Sequence, residues 1–152
     1  MRALLALLVL LLLPVAGAYA QGDPPGVKGL FLLTDYPSQT VRAGEVTTIR
    51  VKVNNAGLVP QPLALALNGV PAGWKIDLLG GGRPVGSVMV GVNQEVIVQL
   101  RVEVPKDAPP SPHNVVLTAR GPLGQQGSLP LTLTVGAEAP ARLSLKSRLP
   151  SL

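Results

Sequence analysis

Apolar and polar residues alternate in short runs between Gly29 and Val135, and each run stops at Gly, Pro, Asn or Asp. The clearest runs are VTTIRVKV at 46–53 and EVIVQLRVEV at 95–104. A period of two places every second side chain on one face of a β-strand, so each run can cover a core with one face and meet water with the other. About seven such runs with regular turn signals predict an all-β, immunoglobulin-like sandwich of antiparallel strands, without a helix.

The inward positions of these runs predict the core. They are aliphatic apart from one tryptophan, so burial of apolar side chains must supply the stability of a chain that has no cysteine for disulfides. The predicted core residues are Trp74, Val51, Leu65, Ile76, Val98, Leu100, Leu117, Leu131 and Leu133.

Two prolines predict which strands form edges. Pro62 opens the third run and Pro130 lies inside the last one. Because proline has no backbone N–H to donate to a neighbouring strand, it is tolerated at sheet edges and strand starts. We therefore expect the strands of Pro62 and Pro130 to be the two edges of one sheet.

Residues 1–20 have the pattern of a helical signal peptide that is cleaved. Arg2 is followed by an unbroken apolar run at 3–13, and Ala18-Tyr19-Ala20 predicts cleavage before Gln21. Since a membrane-spanning helix needs ~20 apolar residues, an uncleaved anchor is the weaker alternative. The mature chain is then expected outside the cytoplasm, in the periplasm, on the cell surface or secreted.

The rest of the chain divides into three parts. We expect a lead-in at 21–27, the sandwich at 28–136, and a linker or the start of a further module at 137–152. If residues 137–152 begin a further module, the chain is a fragment of a longer protein.

The net charge of the 152-residue chain is +5. Its cations are scattered without interleaved aromatic residues, which argues against a nucleic-acid partner.

Few side chains in this sequence could carry out catalysis. The chain has no cysteine, and His113 is its one histidine. The carboxylates occur singly, and Glu103 beside Arg101 is best explained as a charge pair on the outer face of a strand. We therefore predict no catalytic residue, no metal site and no cofactor, because nucleophilic catalysis and metal binding need several such groups together.

Trp74 has two possible roles. Its parity matches that of Ile76, which favours burial beside Leu65, Ile76 and Val98. The alternative is an exposed platform for a sugar ring, with Tyr36 as a second contact. Sugar-binding faces usually need several aromatic residues, and after cleavage only Phe31, Tyr36 and Trp74 remain. This shortage argues against carbohydrate binding.

The order of the turn signals resembles a bacterial Ig-like domain, the one associated with α-galactosidases and NPCBM carbohydrate modules. The resemblance lies in VRAGE at 41–45, VKVNNAG at 51–57, GVPAGW at 69–74 and VPKDA at 104–108. It covers about residues 28–136, and GVPAGW is its most specific part. This chain departs from the family in having Pro112-His113-Asn114 where a tyrosine often precedes the sixth strand, so a tyrosine-corner hydrogen bond is not expected.

The resemblance implies an accessory module and supplies no catalytic residues. We expect a non-enzymatic spacer or protein-interaction domain of the bacterial cell envelope, whose partners are other proteins or neighbouring Ig-like domains. One alternative is an accessory carbohydrate-binding module of a glycoside hydrolase. The other is an accessory component of an ABC transporter, with a membrane protein as its partner.

Overall fold

The computed structural model describes residues 26–137, and within this range the chain forms ten strands and no helix. No helix in this range is long and apolar enough to cross a membrane. The predictions for residues 1–25 and 138–152 lie outside the described residues. The strands are β1 (Gly29–Leu33), β2 (Ser38–Val41), β3 (Val46–Ala56), β4 (Pro62–Asn68), β5 (Lys75–Gly80), β6 (Arg83–Pro84), β7 (Ser87–Met89), β8 (Gln94–Glu103), β9 (Pro112–Arg120) and β10 (Gln126–Val135).

The strands form two five-stranded sheets that pack face to face. Sheet 1 has the order β1-β3-β8-β5-β6, and sheet 2 has the order β2-β10-β9-β4-β7. The long strands alternate as the sequence predicts: in β3, Ile49 and Val51 are buried, whereas Thr48 and Arg50 are exposed. The inward side chains form one aliphatic core. The prediction of an all-β sandwich is confirmed.

Most of the predicted core residues lie at the centre of this sandwich. Trp74 and Ile76 are half-buried and pack against the core from its margin. Trp74 precedes β5 and Ile76 lies on it, and β6 pairs with β5 only at Leu79 and Gly80, so both residues lie at an open edge of sheet 1. The buried members of the predicted set are Val51, Leu65, Val98, Leu100, Leu117, Leu131 and Leu133.

The chain has more strands than the seven that were predicted, and one pair is parallel. After β1, the chain crosses from sheet 1 to sheet 2, where β2 runs parallel to β10 with Ser38 opposite Thr132. The four residues of β2 are too few to show alternation, since only Val41 among them is buried. The short strands β6 and β7 also belong to different sheets, since β6 pairs with β5 and β7 pairs with β4.

The prediction that the strands of Pro62 and Pro130 form the sheet edges is wrong. β7 flanks β4, and β2 flanks β10. Each proline nevertheless avoids a missing hydrogen bond: Pro62 is the first residue of its strand, and β2 pairs with residues from Thr132 onward, beyond Pro130. Proline is therefore placed where no ladder N–H is needed, but this requirement does not decide whether its strand lies at the edge of the sheet.

The chain enters and leaves the sandwich at opposite ends. Gly29 pairs with Ala56, the last residue of β3, whereas Val135 pairs with Val41 shortly before β3 begins. β3 has eleven residues, which span about 35 Å at ~3.3 Å per residue. We call the end formed by loops 57–61, 90–93 and 121–125 the N-terminal end. The C-terminal end consists of loops 42–45, 69–74 and 104–111.

Candidate functional site

The C-terminal end has two surface depressions, one on each side of loop 104–111. The smaller one, which we call the Trp74 depression, has a volume of about 350 Å³. The larger groove, of about 780 Å³, lies beside the point where the chain leaves the sandwich. Successive residues of the loop line the two in turn: Pro105 and Asp107 face the Trp74 depression, and Lys106 faces the groove.

Glycine residues of the GVPAGW segment position Trp74. Gly69 has φ +75°, and a Cβ atom there would lie 2.6 Å from the backbone oxygen of Asn114, so a side chain does not fit. Gly73 also has positive φ, and the Trp74 N–H donates to the Pro71 carbonyl at 3.2 Å. The segment therefore makes a tight turn that delivers Trp74 to the start of β5.

Trp74 lines a surface depression instead of filling the sandwich beside Leu65, Ile76 and Val98. Its ring meets the His113 ring edge to face, with centroids 5.0 Å apart and an interplanar angle of 62°. Because the ring lies at the margin of the core, one part packs against buried residues and another lines the depression. Trp74 is therefore partly buried in the core margin and partly exposed in the depression. Its shared parity with Ile76 predicted a deeper burial than the structure shows.

His113 has a hydrogen-bond partner that sequence reasoning did not identify. The Ser111 Oγ lies 2.9 Å from His113 Nε2, and the same hydroxyl donates to the Pro109 carbonyl at 3.1 Å. Asp107 lines the same depression, but within residues 26–137 no carboxylate forms an ion pair with His113. Among these residues, the Ser111–His113 pair therefore has no carboxylate partner of the kind found in a catalytic triad.

Tyr36, the second candidate for a ligand contact, lies apart from this site. It is 69% exposed in the crossing between β1 and β2, where its carbonyl accepts a hydrogen bond from Gln39 Nε2 at 3.1 Å. It does not line the Trp74 depression. The two aromatic residues therefore do not form a shared platform.

The larger groove is lined by the turn between β2 and β3. The Gly44 N–H donates to the Val104 carbonyl at 3.0 Å, and the Val104 N–H donates to the Glu45 carbonyl at 3.2 Å. Arg42 and Glu45 form an exposed ion pair of 3.7 Å at the rim. Across the described residues, no three His, Cys, Asp or Glu side chains converge as metal ligands.

The N-terminal end contains a hydrogen-bond network that the sequence did not reveal. The Asn55 side chain is 4% exposed and bonds to both backbone groups of Leu58: it donates to the carbonyl at 2.9 Å and accepts from the N–H at 2.9 Å. The same amide donates to the Val90 carbonyl at 3.1 Å. One side chain thus joins loop 57–61 to the start of loop 90–93.

Two further amide side chains extend this network. Gln61, which is 7% exposed, bonds to Gln125 and accepts a hydrogen bond from the Leu123 N–H at 3.2 Å. Asn93 accepts from the Gly57 N–H at 2.8 Å. The three loops of the N-terminal end are therefore fastened to one another by Asn55, Gln61 and Asn93, which we call the amide network. In the sequence, Asn55 belongs to the turn signal VKVNNAG at 51–57, and such a signal does not distinguish a solvated amide from a buried one.

The outer face of sheet 1 contains the predicted charge pair. Arg101 and Glu103 approach to 2.7 Å, and Asp77 on the neighbouring strand lies 3.9 Å from Arg101 and 3.6 Å from Lys75. These side chains are partly exposed, so the ion pairs contribute little to stability. They give this face a mixed charge.

The chain matches no protein-family model and no curated protein. Among solved structures it is similar to a family 123 glycoside hydrolase from Clostridium perfringens, which acts on glycolipid glycans, with 11% identity and a TM-score of 0.51. The match covers 67% of this chain and 23% of the hydrolase, so the chain spans about a quarter of that protein's length.

Two other solved domains are similar. The N-terminal domain of PorA is 13% identical with a TM-score of 0.45, and the match covers 69% of this chain and 92% of that domain. The cupredoxin domain of amoB from Nitrosocaldus yellowstonii is 12% identical with a TM-score of 0.44, covering 70% of this chain and 65% of the other. At these identities the similarity concerns the fold alone.

Proposed function

We propose that this chain is a non-catalytic Ig-like module that serves as a spacer or protein-interaction domain in the bacterial cell envelope. The main support is that the polypeptide enters at one end of the sandwich and leaves at the other, beside Gly29 and Val135 respectively. A domain with this geometry separates whatever precedes it from whatever follows it. In this role the rigid sandwich serves as a scaffold whose loops and edge strands contact a neighbouring domain.

The chemistry of the described side chains also supports a role without catalysis. The core is aliphatic, the carboxylates with partners lie in surface ion pairs, and Ser111 and His113 bond to each other without an acid. Membership of the α-galactosidase-associated, NPCBM-associated Ig-like family and export through the signal at 1–20 are parts of the same proposal. They rest on the sequence motifs, above all GVPAGW at 69–74.

The spacer proposal can be tested by measuring one distance within the molecule. The chain has no cysteine, so Val27→Cys and Ala137→Cys can be spin-labelled without background. We expect a single narrow distance distribution of at least about 35 Å, set by the length of the central strand. A matched pair, Val27→Cys with Val59→Cys at the same end, should give a clearly shorter distance. A broad or short distribution between 27 and 137 would contradict the spacer geometry.

A second candidate is an accessory carbohydrate-binding module of a glycoside hydrolase. One observation favours it: the Trp74 ring is half-buried and lines a depression that also holds Asp107 and His113. An aromatic face beside a carboxylate suits a sugar ring, since one stacks and the other accepts hydrogen bonds. A glycan array with the native chain, Trp74→Ala and Tyr36→Ala separates the two candidates. Saturable binding that is lost only in Trp74→Ala would replace the spacer proposal, and no binding would support it.

A further inference from the structure

Asn68 and Gly69 form the junction between β4 and the GVPAGW segment. The asparagine is the last residue of β4, and it is exposed. Among residues 26–137, none of the side-chain hydrogen bonds involves its amide. The chain's other asparagines, at positions 54, 55, 93 and 114, are each followed by a residue that has a side chain. Asn68 is therefore the asparagine whose amide is both exposed and next to a glycine.

A glycine after asparagine allows the backbone to attack the side-chain amide. The Gly69 backbone nitrogen loses its proton and forms a bond to Asn68 Cγ, and the Cγ–Nδ2 bond breaks as ammonia leaves with that proton. The product is a cyclic imide between the two residues. Water then opens the ring at either of its carbonyls, which gives aspartate or isoaspartate. Because glycine has no Cβ, no side chain hinders the ring closure.

The position of Asn68 at the end of its strand makes this reaction accessible to the folded chain. Ring closure requires the backbone of Asn68 to rotate out of the extended conformation of a strand. The ladder between β4 and β9 ends at the pair of Asn68 and Val116, so opening of this pair alone frees the residue. Opening at the end of an element costs far less free energy than global unfolding. Asn54, in contrast, lies within β3 and is paired on both sides, with Phe31 and Glu95.

We propose that Asn68 is a site of spontaneous deamidation, and that isoaspartate at this position displaces the loop that holds Trp74. Isoaspartate adds a methylene group to the main chain between positions 68 and 69. Gly69 has no room to take up this extra length toward β9, because a Cβ atom there would lie 2.6 Å from the Asn114 oxygen. Asn114 follows His113, whose ring contacts the Trp74 ring with centroids 5.0 Å apart. A shift at Gly69 therefore reaches both partners of this aromatic contact.

Peptide mapping of the aged protein tests the modification. The folded full-length chain is incubated in mildly alkaline buffer, and samples are digested with trypsin over time. One tryptic peptide, residues 53–75, contains Asn54, Asn55 and Asn68, because no Lys or Arg lies between Lys52 and Lys75. Fragment-ion mass spectrometry therefore compares these asparagines within a single peptide. We expect deamidation at Asn68 to be several times faster than at Asn54, with aspartate and isoaspartate both formed.

Two results of this mapping would overturn the proposal. One is an equal rate of deamidation at Asn54 and Asn68 in the folded chain. The other is an unmodified Asn68 in the folded chain under conditions in which the urea-unfolded chain deamidates there, since the fold would then block ring closure.

The fluorescence of Trp74 tests the displacement of the loop. Trp74 is the only tryptophan of the chain, and we expect its emission to move to longer wavelength in step with the isoaspartate formed at position 68. Asn68→Ser keeps an exposed polar residue but cannot form the imide, so its emission should stay constant over the same period. Asn54→Ser, the matched control, should age like the native chain. Constant emission from a native chain that has deamidated at Asn68 would overturn the coupling to Trp74.

Discussion

The loops at the two ends of the sandwich are held in place by different kinds of interaction. At the N-terminal end, the side chains of Asn55, Gln61 and Asn93 fasten three loops to one another. At the C-terminal end, loops are ordered by backbone turns that need glycine, as at Gly69, and by packing of rings and prolines around Trp74. Asn55 and Gln61 are also the buried polar residues of the described chain, so polar burial is concentrated at one end.

This difference shows how a core of simple composition can support two distinct surfaces. Hydrogen bonds from a buried amide are directional, so they fix the N-terminal loops in one arrangement. Glycine turns and apolar contacts at the other end fix the backbone but leave open depressions between the loops. We therefore expect mutations at the two ends to affect stability through different mechanisms.

The largest effect is expected from removing the central amide of the N-terminal end. Asn55→Leu eliminates the three side-chain hydrogen bonds to Leu58 and Val90 and leaves their backbone groups without partners. We expect the free energy of unfolding to fall by about 3 kcal/mol, since each unsatisfied buried group costs ~1–3 kcal/mol. Urea denaturation measures it.

The neighbouring residue provides a control for this substitution. Asn54 lies on the same strand with the opposite parity, so Asn54→Leu changes the same chemical group on the outer face of the sheet. Its effect should stay within about 0.5 kcal/mol, as for most surface substitutions. A similar loss for both variants would mean that strand propensity, and not the amide network, determines the result.

At the C-terminal end, an intermediate effect is expected from a single methyl group. In Gly69→Ala the new Cβ meets the Asn114 carbonyl at 2.6 Å, in a backbone conformation with φ +75°. We expect a loss of about 2 kcal/mol from strain and displacement of the loop. Gly124→Ala has the same kind of φ, +84°, with nothing within 4 Å, and should cost only about 1 kcal/mol. Thermal unfolding of both variants isolates the clash, and equal losses would exclude it.

The smallest effect concerns the strained residue of the amide network. Asn93→Gly relieves the positive φ but loses the acceptor for the Gly57 N–H, and these changes oppose each other. We expect a net change in unfolding free energy within about 0.5 kcal/mol, whereas Asn93→Ala, which loses the bond and keeps the strain, should cost about 1 kcal/mol more. If Asn93→Ala were as stable as Asn93→Gly, the strain at this position would be absent.

The alternating pattern predicted the fold well because each long strand has one buried face. Val98 and Leu100 on β8 and Leu117 on β9 lie where parity placed them, since a shift of one residue would expose the whole apolar set. β2 escaped prediction because four residues with one buried position carry too little pattern. Its parallel pairing with β10 depends on how the chain crosses between sheets, which is a tertiary property.

The candidate site was predicted less completely than the fold. GVPAGW drew attention to Trp74, but the depth of its burial depends on which groups surround it in the fold, among them His113 and the loop at 104–111. The hydrogen bond between Ser111 and His113 and the amide network depend on loops meeting in space. Such contacts join residues distant in sequence or buried by other segments, so composition and spacing do not indicate them.

The parallel pair of β2 and β10 has a consequence for mechanical load. If the chain is pulled at its two ends, tension draws Ser38 toward the N-terminal end and Val135 toward the C-terminal end. The two strands then slide past each other along their length, so the register pairs from Ser38–Thr132 to Val41–Val135 resist together instead of opening one at a time. A module that transmits force between its neighbours would gain resistance to stretching from the strand that the sequence pattern did not reveal.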